Sequence, residues 1–177
     1  MKHIYIFIIG LLIVGCGSTK EMPTAEDLNA LKSAVENKKF RFEATSANPI
    51  GLANVRGINN LLPPGSVQSN ISLIGNSNYF IVDNETVQLD MPYFGEQEVA
   101  KVYNQSDAGL KFKGKAKKFT IKFDERKMQY TINLVLDSSD ENLNIMLVMY
   151  PNKKARLDVS SSIRSAINYY GDWKVAE

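Results

Sequence analysis

Apolar residues follow three different spacings along this chain. Between Ile4 and Val14 they form an almost unbroken run, interrupted only by Gly10. Between Thr24 and Lys38 they recur at helical spacing: Leu28, Leu31, Ala34 and Val35 make one stripe, which predicts a single amphipathic helix. Thr24 is placed to cap that helix, with Asp27 three residues on in a weaker form of the capping box. Lys38 and Lys39 would close its last turn, where the helix dipole favours cations. From Phe40 onward the period is two, with Phe40, Phe42 and Ala44 alternating with Arg41 and Glu43.

The alternation then comes and goes. Residues 46 to 70 lose regular pattern and fill with Asn, Gly and Pro, notably Pro63-Pro64-Gly65, an unusually long connection. Ile71 to Ile74 and Tyr79 to Val82 read as a strand pair joined by Gly75-Asn76-Ser77-Asn78, and Asp83-Asn84-Glu85 turns into Thr86 to Asp90. In the C-terminal half, Phe119, Ile121 and Phe123 alternate with polar residues. Met128, Tyr130, Ile132, Leu134 and Leu136 share one face of a long strand. Leu143 to Tyr150 is apolar on both faces, as in a central strand covered on both sides. Ala155, Leu157 and Val159 alternate again, and a last strand runs from about Ala166 to Val175.

Short connections between neighbouring strands imply antiparallel pairing. The expected fold is mainly β: a strongly curled antiparallel sheet of about nine strands, an open barrel or a sandwich, with one N-terminal amphipathic helix. Residues 24–177 are expected to form one β-rich domain. With 177 residues in all, a real core needs no disulfides.

The first apolar run changes the picture. It follows Lys2 and is too short to span a bilayer as a permanent helix, which needs roughly 20 residues. It ends in Ile13-Val14-Gly15-Cys16, which resembles the lipobox of bacterial lipoproteins. The resemblance implies a signal peptide over residues 1–15, cleavage before Cys16, a diacylglyceryl group on its sulfur and palmitate-type acylation of the new amino group. Each buried methylene contributes about 0.8 kcal/mol, so two or more chains anchor stably. Residues 16–23 then read as a lipidated tether; fully extended, residues 17–23 reach about 25 Å, which keeps the domain near the membrane. Gly17 stands where an aspartate favours inner-membrane retention in well-studied lipoproteins, so the resemblance implies an outer-membrane lipoprotein of the cell envelope. Its periplasmic or surface face is left open.

The same cleavage removes His3, the only histidine, and leaves the single cysteine lipidated. Ser-His-Asp and Cys-His catalysis and the common zinc sites are then closed. No catalytic residue, metal or cofactor is expected, and the expected protein is not an enzyme. A carboxylate pair drawn from Asp83, Asp90, Asp107 or Asp158 is the remaining route to hydrolase chemistry; the plainer reading is solvated surface. The formal net charge of +2 gives no global polyanion partner, and no nucleic acid is expected. Lys111, Lys113, Lys115, Lys117, Lys118, Lys122, Arg126 and Lys127 form a locally basic stretch. It reads first as protection of sheet edges and second as contact with anionic headgroups or glycans.

Two segments carry a further resemblance. One is Met91-Pro92-Tyr93-Phe94-Gly95; the other is the register of Ala155, Leu157, Val159, Arg164, Ile167, Tyr169 and Gly171. With Phe40-Arg41-Phe42 and the lipobox, they resemble the domain of unknown function 4251 family, lipoproteins of Gram-negative bacteria, over roughly residues 36 to 175. The family name implies no activity and no ligand. Tyr93, Phe94, Arg164 and Tyr169 are the candidate contacts for a ligand or partner; the competing reading makes them packing at a sheet corner and in the core. The expected function is a lipid-anchored envelope protein that acts by binding a small ligand or an unknown envelope protein. The alternatives are a structural accessory subunit of an envelope complex, using the loop 46 to 66, and a carboxylate-dependent hydrolase.

Overall fold

Thr24 caps the first element as its sequence predicts. Its Oγ1 accepts from the Asp27 N–H at 3.1 Å, and Asp27 Oδ2 accepts from the Thr24 N–H at 3.3 Å. The Thr24 hydroxyl also donates to Asp27 Oδ2 at 2.6 Å, and this bond first, with the Thr24 N–H second, holds the Asp27 carboxyl below the usual carboxylate range. The helix, α1, spans Ala25–Glu36 and buries Leu31, Ala34 and Val35. It ends two residues earlier than the lysine pair suggests: Asn37 is the C-cap, Lys38 turns the chain at φ 49°, and Lys39 already belongs to the first strand. The computed structural model describes residues 23–50, 62–67, 69–96, 109–138 and 141–176. Cys16 and its apolar run lie outside them.

Ten strands follow: β1 Lys39–Pro49, β2 Ile71–Ser72, β3 Tyr79–Asp83, β4 Thr86–Met91 and β5 Leu110–Lys115, then β6 Lys118–Asp124, β7 Gln129–Asp137, β8 Asn142–Met149, β9 Lys154–Ser161 and β10 Ile167–Val175. Nine of them form one antiparallel sheet in the order β5-β4-β3-β1-β10-β9-β8-β7-β6. The sheet is thus two meanders laid edge to edge, β1 to β5 and β6 to β10, united by the β1–β10 ladder. The outermost strands β5 and β6 are joined by Ala116 and Lys117 alone, so the sheet must curl until its two edges meet at that link. Among the described residues β5 pairs only with β4, and β6 only with β7, which leaves a half-barrel and not a closed one.

The concave side holds the core. Phe40, Phe42, Phe80 and Tyr169 are fully enclosed and Trp173 nearly so, each contributing about 2–3 kcal/mol by burial. Trp173 Nε1 donates to the Tyr150 carbonyl at 2.7 Å, and the Lys153 ammonium sits 4.1 Å above its ring. Toward the β6 edge the inner face opens, leaving Ile121 and Phe123 each 39% exposed.

Three expectations need correction. The strand beginning at Phe40 does not stop at Ala44 but runs to Pro49. A bulge between Ala44 and Ser46 shifts the inward positions from Phe40, Phe42 and Ala44 to Ala47 and Pro49, which breaks the alternation. The rest of the 46 to 66 stretch falls largely on residues 51–61, outside the described residues. Second, Ile71 to Val82 is not a hairpin. β2 and β3 both pair with β1 and lie end to end along it, as one strand interrupted by Leu73–Asn78. Third, β8 is not covered on its outer face: Asn144 is exposed and Met146 half-buried, although Val148 beside them is buried.

Candidate functional site

Tyr93, Arg164 and Tyr169 come together at the corner that follows β4. The Tyr169 hydroxyl, fully buried, donates to the Pro92 carbonyl at 2.7 Å. Burial pushes this phenol well above the ordinary tyrosine range, with the neighbouring Tyr93 adding to the effect, so it remains a donor. The Tyr93 hydroxyl lies 2.9 Å from the Glu96 carbonyl, the Ser165 carbonyl and Ser165 Oγ. Ser165 Oγ also accepts from the Glu96 N–H at 3.0 Å, and the Ser165 N–H donates to the Glu96 carbonyl at 2.9 Å. Gly95 allows this close approach: a Cβ there would stand 2.6 Å from Ser165 Oγ.

Arg164 ties the corner to the far meander. Its guanidinium packs 5.3 Å from the Tyr93 ring centre, donates to the Gly109 carbonyl at 3.3 Å and pairs with Glu141 at 3.0 Å. The two charged side chains are 6% and 8% exposed, so the pair is effectively desolvated. Glu141 also accepts from the Ser161 hydroxyl at 2.6 Å. Phe94 is half-buried and packs on the core. These contacts engage the corner residues with one another, and the corner works as a brace across the end of the half-barrel.

A second feature lies on the opposite, outer face. There a groove of about 480 Å³ crosses β6 to β10. Its walls are two adjacent cross-strand rows. One runs Lys118, Val135, Asn144, Ser160. The other runs Thr120, Asn133, Met146, Asp158, Asn168. The second row continues onto β1 at Asn48, the register partner of Asn168. Asp158 Oδ2 pairs with Arg156 at 3.0 Å, but Asp158 Oδ1 and Asn48 Oδ1 are buried with no hydrogen-bond partner among the described residues. Tyr170, one outward position beyond Asn168 on β10, is 41% exposed beside the groove. Tyr93, Phe94, Arg164 and Tyr169 do not line it.

Comparison with known proteins completes the picture. A family model for a domain of unknown function (DUF4251) matches residues 23–173. The chain belongs to the DUF4251 family. Its fold is shared with the crystal structure of a DUF4251 family protein from Bacteroides eggerthii DSM 20697, at a TM-score of 0.57 and 12% sequence identity, covering 85% of this chain and 89% of that one. No curated protein matches. The DUF4251 match begins before α1, so the helix belongs to the domain and is not an appendage of it.

Among the described residues of this DUF4251 domain, no three His, Cys, Asp or Glu side chains gather where a metal ion could be held. No helix among them is long and apolar enough to cross a membrane. The lysine-rich stretch falls on both outer strands, the link between them and the turn after β6, and among the described residues Lys115 pairs with Glu85 at 2.5 Å and Lys117 with Asp137 at 3.0 Å. The groove was invisible to the alternation, because its residues occupy polar outward positions that look like ordinary surface. A signal did exist: Asn133, Asn144 and Asn168 all sit inside strands, where asparagine is depleted.

Proposed function

We propose that this DUF4251 protein is a lipid-anchored component of the cell envelope, held in the outer membrane through Cys16, that acts by binding and performs no catalysis. The observation that carries the binding part is the outer-face groove, whose rows supply hydrogen-bonding side chains at regular cross-strand spacing over an apolar floor. The corner residues are spent on one another, which favours the groove over the corner as the docking place. The anchor reading is supported by the run from Ile4 to Val14 and its ending in Ile13-Val14-Gly15-Cys16. A role as a structural accessory subunit has one feature in its favour: the edge strand β6, paired on one side alone among the described residues, exposes Ile121 and Phe123.

Two measurements test the proposal. Cys16→Ala should abolish labelling by radioactive palmitate; a variant that still labels and fractionates with the outer membrane overturns the anchor. A photo-crosslinking side chain at Met146, in the groove, should form adducts in cells expressing the full chain, while one at Lys122, on the same face outside it, should not. Equal yields from the two positions overturn the docking assignment, and preferential adducts from Ile121 or Phe123 favour the accessory reading.

A further inference from the structure

The chemistry of the groove narrows what it can hold. Asn133, Asn144 and Asn168 each present a donor and an acceptor, Ser160 and Thr120 present hydroxyls that do both, and Met146 and Val135 present apolar surface between them. The formal charges in the lining are Lys118, at the β6 end, and Asp158, which Arg156 neutralises at 3.0 Å, so the middle of the groove offers little net charge to a ligand. A ligand matched to this set is uncharged. It carries many groups that both donate and accept at short spacing, and it has apolar faces between them.

We propose that the groove binds a neutral saccharide, resting on the reading of the groove as the docking site. Vicinal sugar hydroxyls lie close enough together for one amide or carboxylate to take two of them, whereas a peptide's N–H and C=O groups point alternately away from such a surface. The unpartnered Asp158 Oδ1 supports this assignment. A buried acceptor without a donor is costly, and a sugar hydroxyl supplies the donor once the carboxylate rotates about its broad terminal torsion. Tyr170 supplies the remaining element, an exposed aromatic face beside Asn168 on which a sugar ring can stack.

The test uses the full lipidated chain in detergent micelles, titrated by calorimetry. The probes are neutral oligosaccharides (a β-1,4-linked N-acetylglucosamine tetramer, maltotetraose and a mannose tetramer), a heparin tetrasaccharide and an uncharged Ser/Ala heptapeptide. At least one neutral saccharide should bind with a Kd below about 1 mM. Asn144→Leu and Tyr170→Ala should each weaken it about tenfold, with the unfolding midpoint unchanged. Binding that persists in the Asn133→Leu/Asn144→Leu double variant overturns the site. Binding of the heptapeptide alone, lost in that variant, overturns the saccharide while sparing the groove as a docking place. Binding of the heparin probe alone overturns the neutral-ligand assignment. Binding of no probe, with equal crosslinking from positions 146 and 122, overturns both.

Discussion

The side chain of Asn78 replaces a missing peptide unit opposite Ala44. Its Oδ1 accepts from the Ala44 N–H at 2.7 Å, and its Nδ2 donates to the Ala44 carbonyl at 3.0 Å. The chain between β2 and β3 leaves the β1 edge at this point, at the bulge, and one buried amide closes the gap in the ladder. Asn78→Ala strands both Ala44 groups and should cost about 2–4 kcal/mol, read as a lower urea midpoint. Asn78→Asp keeps the acceptor and loses the donor. It should regain stability as pH falls through the carboxyl range, because the protonated acid donates again.

Tyr169 ties alkaline stability to the same end of the molecule. Its folded pKa is raised by burial, so below about pH 10 the phenol is neutral in both states and its stabilisation is intact. Above that, the unfolded chain releases a proton that the folded chain keeps, and stability falls as pH rises toward the folded value. Tyr169→Phe should cost about 1–3 kcal/mol at neutral pH, since the Pro92 carbonyl loses its donor. It should also flatten the decline above pH 10 in a denaturation series.

Gly171 faces the bulge from β10. A Cβ at this position would fall on the Glu43 carbonyl oxygen and stand 2.7 Å from the Ala44 Cα, both of them backbone and unable to give way. Gly171→Ala should therefore part β1 from β10 and cost more than about 3 kcal/mol, measured by circular dichroism on heating. Gly114→Ala is the matched control. Its nearest neighbour is the tip of the Phe112 ring at 3.2 Å, and the loss should be smaller.

The Arg164–Glu141 pair should show the asymmetry of a desolvated ion pair. Glu141→Gln leaves the guanidinium buried against a neutral amide and should cost about 3–5 kcal/mol. Replacing both partners by methionine should recover most of that loss, to within about 2 kcal/mol of the natural protein. Paired urea denaturation curves of the single and double variants check this.

Strands β6, β7 and β9 were legible because each keeps one inward face along its length: Tyr130, Ile132, Leu134 and Leu136 alternate without interruption. β1 was legible only up to its bulge, since one inserted residue moves every later side chain to the other face. The false hairpin before Val82 had a similar cause: nothing local distinguishes a turn from a strand that detours and returns, with Asn78 standing in for its backbone. At the corner, Tyr93, Arg164 and Tyr169 were found through motif resemblance, yet their contact spans some 70 residues of chain and depends on how the meanders join. Their burial and mutual hydrogen bonds are facts of packing that no spacing encodes. The groove instead lies within one meander, since its rows cross from β6 to β10, and only their continuation to Asn48 on β1 depends on the join.

The join between β1 and β10 gives the order of synthesis a physical meaning. Neighbours within each meander are close in sequence and can pair as they emerge, whereas the ladder that unites them links Phe40 to Val175 and Pro49 to Ile167, nearly the full span of the domain. Until β10 has been made, Phe42 and Ala44 have no Trp173 or Gly171 beside them, and β9 has a bare edge. The nascent protein is therefore first one ribbon and then, once β6 and β7 have been made, two separate ones, each with an exposed apolar side and a need for protection. Delivery of the final strand turns the two ribbons into one enclosure.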